Sequence, residues 1–75
     1  MLFDEALDVA GEPCDALLPR LRGRLGTMAP GTVLRLFCDD PAARSDVSHL
    51  CEADGHEFIG RLPRPDGCLY FIRKG

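Results

Sequence analysis

Apolar and polar positions alternate from Phe3 to Val9. Phe3, Glu5, Leu7 and Val9 share one side and Asp4, Ala6 and Asp8 the other, which predicts a half-buried strand with Glu5 as its one charged intruder. The period then changes. Leu17, Leu21, Leu25 and Met28 recur at spacings of 4, 4 and 3, the apolar stripe of a helix, which Ala29-Pro30-Gly31 terminates. Alternation returns over Thr32–Cys38, with Leu34, Leu36 and Cys38 on one face and Val33, Arg35 and Phe37 on the other. Asp40 suits an N-cap and Pro41 a first helical position. Ala43, Val47, Leu50 and Cys51 follow as a second helical stripe, and Gly55 closes it. Glu57–Leu62 and Cys68–Arg73 read as two further strands. The turn-rich segment Pro63–Gly67 between them makes a hairpin with a loop of about five residues.

The order β-α-β-α-β-β contains two strand–helix–strand units, which favour parallel pairing, and a closing antiparallel hairpin. Two helices do not cover both faces of a four-stranded sheet. The expectation is therefore a two-layer α/β sandwich: a mixed four-stranded sheet with both helices on one face. With 75 residues, the chain is expected to form one domain spanning 1–75, with a small core.

Composition narrows the function. A hydrophobic fraction of 45% and a charged fraction of 28% are those of an ordinary globular domain, and the net charge of −3 argues against a general nucleic-acid binder. No stretch approaches the roughly 20 apolar residues of a membrane span. The acidic start, Met1-Leu2-Phe3-Asp4-Glu5, lacks the build of a signal peptide. A cytoplasmic chain with reduced thiols is the expectation, and nothing points to an obligate oligomer, so a monomer is expected.

Of the four cysteines, Cys38, Cys51 and Cys68 fall in strand or helix patterns and read as packing residues. Cys14 differs, standing between the end of the first strand and the start of the first helix, where the partial positive charge of a helix N-terminus favours thiolate over thiol. Asp15 acts in the opposite direction, through like-charge repulsion. Pro19 lacks the N–H that an α-turn begun at Asp15 requires, so the spacing predicts a late or irregular first turn. The spacings His49-x-Cys51 and Cys51-x₄-His56 fit no common zinc pattern, and no metal or cofactor is expected. Asp39 and Asp40 are better explained by capping than by acid–base work. Arg20, Arg22 and Arg24 make a basic helix surface. Solvation alone explains it; docking of an acidic partner is the sharper alternative.

From Leu7 to Lys74 the chain resembles the TusA/SirA-like small sulfurtransferases. The resemblance lies in Leu7-Asp8-x-x-Gly11-x-x-Cys14, Ala29-Pro30-Gly31-Thr32-Val33-Leu34, Asp39-Asp40-Pro41-Ala42, Asp46, Cys51, Gly55-His56-Glu57 and Tyr70-Phe71-Ile72-Arg73-Lys74. It implies the same β-α-β-α-β-β fold. It further implies that Cys14 carries sulfane sulfur as a persulfide, received from a cysteine desulfurase or similar donor protein. The sulfur passes to a downstream acceptor protein, toward tRNA thiolation or other sulfur metabolism, without direct nucleic-acid binding. Arg22 falls where family members carry a basic residue, which makes it, with Arg20, the expected partner contact. The family motif Cys-Pro-x-Pro is here Cys14-Asp15-Ala16-Leu17. That departure supports an alternative, a non-catalytic interaction or regulatory module on the same fold.

Overall fold

A computed structural model describes residues 2–12 and 14–75, with Cys14 described by its backbone alone. Four strands form one sheet: β1 (Glu5–Asp8), β2 (Val33–Cys38), β3 (Glu57–Arg64) and β4 (Gly67–Arg73). Their spatial order is β1-β2-β4-β3, with β1 and β2 parallel and β4 antiparallel to both β2 and β3. Helices α1 (Leu17–Gly26) and α2 (Ala43–Asp54) connect β1 to β2 and β2 to β3.

Both helices cover the same face. Leu17, Leu21 and Leu25 of α1 and Ala43, Val47, Leu50 and Cys51 of α2 form one cluster with Leu7, Leu34, Leu36, Cys38, Tyr70 and Ile72 of the sheet. Burial of the three α1 leucines contributes roughly 1.5–3 kcal/mol each. Gly23 costs about 1 kcal/mol relative to alanine, so packing holds this helix against its own propensity. The predicted two-layer architecture is the observed one. Leu69 and Phe71, on the face without helices, are also buried; in the register Phe37 and Leu62 stand beside the first and Arg35 and Gly60 beside the second.

Three local expectations are corrected. The first strand is shorter than Phe3–Val9. Phe3 leaves the core side and lies under the Arg35 guanidinium, 4.3 Å from its ring centroid, on the opposite face. The second helix starts at Ala43 rather than Pro41, because Asp40 folds the chain first: its Oδ1 accepts the Ala42 N–H at 2.9 Å and its carbonyl accepts the Ala43 N–H at 3.0 Å. The hairpin loop is two residues, Pro65-Asp66, instead of five. Pro63 and Arg64 pair with Cys68 and Gly67, and β3 accommodates a proline because it is an edge strand. At the start of β4, a Cβ on Gly67 would lie 2.8 Å from the Cys38 carbonyl oxygen, so only glycine admits this close approach of the hairpin to β2. Gly55 ends α2 in the left-handed region (φ 76°), as its position predicted.

Candidate functional site

The carboxyl ends of the parallel strands β1 and β2 and the starts of both helices meet at one end of the sheet, and the Cys14 segment lies there. After β1 the backbone turns sharply. The Asp8 carboxylate accepts the Ala10 N–H at 2.9 Å, the Val9 carbonyl accepts the Glu12 N–H at 3.1 Å, and Gly11 takes φ 80°. Asp39, from the loop after β2, accepts the Gly11 N–H at 3.4 Å. Glu12 is gripped from the other side by Arg20, whose Nη1 lies 2.8 and 2.9 Å from its two carboxylate oxygens. The segment leading to Cys14 is thus tied to β1, to the β2–α2 loop and to α1.

Cys14, Asp15 and Ala16 form a 3-10 turn, and α1 begins only at Leu17. The irregular first turn follows from Pro19. With the helix starting at Leu17, this proline stands third, where its missing N–H has no intrahelical partner to lose. Ala16 offers no side-chain cap to the first donors of the helix. The side chain of Cys14, the expected nucleophile, lies outside the described residues.

The two arginines expected to meet a partner have partners within the chain. Arg20 holds Glu12. Arg22 Nε lies 2.9 Å from Asp54 Oδ2 at the end of α2, and Arg24 lies 3.1 Å from Glu5, which explains the charged intruder in β1. These pairs are half-exposed, each worth at most about 1 kcal/mol, so they orient the arginines without withdrawing them from a competing acidic surface. Sequence reasoning missed the Glu12–Arg20 and Gly11–Asp39 contacts. The first is an eight-residue spacing that crosses a 3-10 turn and matches no helical rule, and the second depends on the β1–β2 register.

The remaining thiols are placed as packing residues. Cys51 is buried against the sheet, and burial pushes its thiol up to about 11. Cys38 is buried at the end of β2; desolvation raises its thiol, the Asp40 N–H donated to its Sγ at 3.5 Å opposes that rise, and the Asp39 and Asp40 carboxylates add to it. Cys68 is only partly buried, opposite Cys38. Among the described residues, no three histidine, cysteine or acidic side chains gather as a metal site. No helix there is long and apolar enough to cross a membrane.

Comparison with known proteins matches residues 5–74 to the family described as Sulfurtransferase TusA. The chain is 32% identical over 74 residues to the sulfur carrier protein TusA of Pseudomonas entomophila, covering 99% of this chain and 92% of that protein. It is 32% identical over 71 residues to the protein of the same name from Pseudomonas aeruginosa (strain LESB58), covering 95% and 90%. The crystal structure of a SirA-like protein from Desulfitobacterium hafniense superposes with a TM-score of 0.77 at 18% identity, covering 93% of this chain and 95% of that one, which shows the shared fold.

Proposed function

Because the chain belongs to the TusA sulfurtransferase family, we propose that it relays sulfane sulfur as a persulfide on Cys14. The Cys14 thiolate attacks the terminal sulfur of a persulfide on a donor protein such as a cysteine desulfurase. A Cys14–sulfur bond forms, the donor's sulfur–sulfur bond breaks, and the donor leaves as its thiolate. An acceptor thiolate then attacks the outer sulfur of the Cys14 persulfide, and Cys14 leaves as thiolate, ready for the next cycle. The acceptor is a downstream carrier protein, with tRNA thiolation or another branch of sulfur metabolism as the destination.

The single observation that carries this reading is the placement of Cys14. Its backbone opens the 3-10 turn that feeds α1, directly after a segment anchored by Asp8, Asp39 and Arg20. A transfer thiol must meet two proteins in turn, which favours a position on a fixed loop over one in the core; the late start of α1 at Leu17 weakens the activation that a helix end directly at Cys14 would give. Cys38 and Cys51 are buried with raised thiols, which keeps them from being the first thiol to meet a donor protein.

Competitive alkylation near neutral pH tests this. A carrier shows Cys14 reacting well ahead of Cys38, Cys51 and Cys68 when modified peptides are counted over time. Slow modification at a similar rate on all four thiols would favour the non-catalytic module instead.

A further inference from the structure

We propose a second thiol site in this chain. Cys38 and Cys68 form a cross-strand dithiol that closes to an internal disulfide by exchange with an anionic low-molecular-weight disulfide, seated in an arginine-rimmed groove.

The two cysteines are direct register partners on antiparallel β2 and β4. Phe37 and Val33 offer their carbonyls toward β1, to the Val9 and Asp4 N–H groups. The intervening residues of β2, and hence Cys38, therefore point their backbone groups toward β4. Opposed residues of that kind have Cα atoms about 5.5 Å apart, within the roughly 4.4–6.8 Å that a disulfide spans, while their Cβ atoms, about 5.5 Å apart, must draw about 1 Å closer for the bond to close. Both side chains lie on the helix-covered side, like Leu34 and Ile72 farther along the same strands. The close approach of Gly67 to the Cys38 carbonyl pins the register at this point.

Cys38, Cys68 and Tyr70 floor a groove of about 400 Å³ between the start of α2 and the β3–β4 hairpin. Arg44, Arg61 and Arg64 rim it, all exposed and without an ion-pair partner among the described residues. Asp39 and Asp40 also line it, but both carboxylates accept backbone N–H groups. Three guanidinium groups against these two carboxylates leave the groove a positive balance, and guanidinium forks suit carboxylates. The partly exposed thiol is Cys68 and the covered one Cys38, the arrangement of an attacking and a resolving cysteine.

With glutathione disulfide as the probe, the Cys68 thiolate attacks one sulfur. A Cys68–glutathione bond forms, the original sulfur–sulfur bond breaks, and one glutathione thiolate leaves. Deprotonated Cys38 attacks the Cys68 sulfur, the internal bond forms, and the second glutathione leaves. Two protein thiols are oxidised and one disulfide is reduced to two thiols, which take up the two protons. The product staples β2 to β4 beside Asp39, whose carboxylate holds the Gly11 N–H ahead of Cys14.

The test uses full-length protein carrying Cys14→Ser, so that it stands apart from sulfur transfer on Cys14. After incubation with glutathione disulfide, peptide mapping is expected to find a Cys38–Cys68 link. Cys38→Ala, or Cys38→Ser should the alanine variant fold poorly, traps glutathione on Cys68. Arg61→Glu with Arg64→Glu slows the reaction with glutathione disulfide about 10-fold or more, while leaving the rate with neutral hydroxyethyl disulfide unchanged. The rate rises with pH, as the buried Cys38 thiol requires. A link through Cys51, a glutathione adduct on Cys68 that persists with Cys38 intact, no reaction at all, or equal slowing with both disulfides would overturn the proposal.

Discussion

Replacing Arg22 by glutamate separates a docking arginine from a structural one. Arg22 Nε lies 2.9 Å from Asp54 Oδ2, with the two side chains 55% and 33% exposed, so water screens the pair and its worth is about 0.2–1 kcal/mol. The glutamate removes that contribution and sets a like charge beside Asp54 at a similar cost, giving a total of at most about 2 kcal/mol against a typical stability of about 5–15 kcal/mol. At about 4–8 °C per kcal/mol for a domain of this size, the variant melts lower but remains folded. On the proposed docking role, its effect on sulfur transfer is expected to be larger. A reversed charge on a docking face slows encounter with an acidic donor, so acceptance from a charged cysteine desulfurase falls about 10-fold at low salt, and the gap to wild type narrows as salt rises. The assay is rapid-quench transfer of labelled sulfur, with melting curves in parallel. Asp54→Ala is the control. It breaks the same pair but leaves the arginine in place and free, so acceptance stays at the wild-type rate or rises. Equal slowing in both variants would show that Arg22 acts only through Asp54, and normal acceptance by Arg22→Glu would remove it from the docking surface.

Leu21→Ala, at a fully buried position in the centre of α1, is expected to cost about 2–5 kcal/mol, read as a lower urea midpoint with an unchanged slope. Gly67→Ala forces a Cβ to within 2.8 Å of the Cys38 carbonyl and 2.7 Å of the Phe37 ring, and should cost about 1–3 kcal/mol or more in the same experiment. Burial raises Tyr70 from 10.0 to about 12 and Cys51 from 9.0 to about 11. Both fold as neutral groups with raised values, so the stability they contribute is complete below pH 9 and is lost as pH climbs from about 9 to about 12. Alkaline denaturation followed by circular dichroism checks this. Phe substituted at Tyr70 should flatten the upper part of the decline.

The fold was legible because each element carried its own period, and because the order of elements left few topologies open. Leu34, Leu36 and Cys38 faced the helices as the alternation required, and Leu17, Leu21 and Leu25 entered one core with Val47 and Leu50. What escaped was decided by contacts between distant segments. Nothing near Phe3 in sequence announces Arg35, which draws it across the sheet edge. Pro63 read as a loop residue because its tolerance in β3 depends on that strand lying at the edge, a property of strand order. At the site, Pro19 disclosed the irregular turn ahead of α1 through its missing donor. The clamp of Arg20 on Glu12 and the reach of Asp39 to Gly11 needed the assembled end of the sheet. Likewise, Cys38 and Cys68 read as two separate packing residues until the register placed them opposite one another.

Sulfur relay through Cys14 is tested by charging the protein with a cysteine desulfurase and cysteine, then locating the added sulfur by mass spectrometry of intact protein and of peptides. One added sulfur atom is expected on Cys14, lost to an acceptor thiol and absent from a folded Cys14→Ser variant. The absence of an adduct on Cys14 across a range of desulfurases, or an adduct that persists in Cys14→Ser, would contradict it.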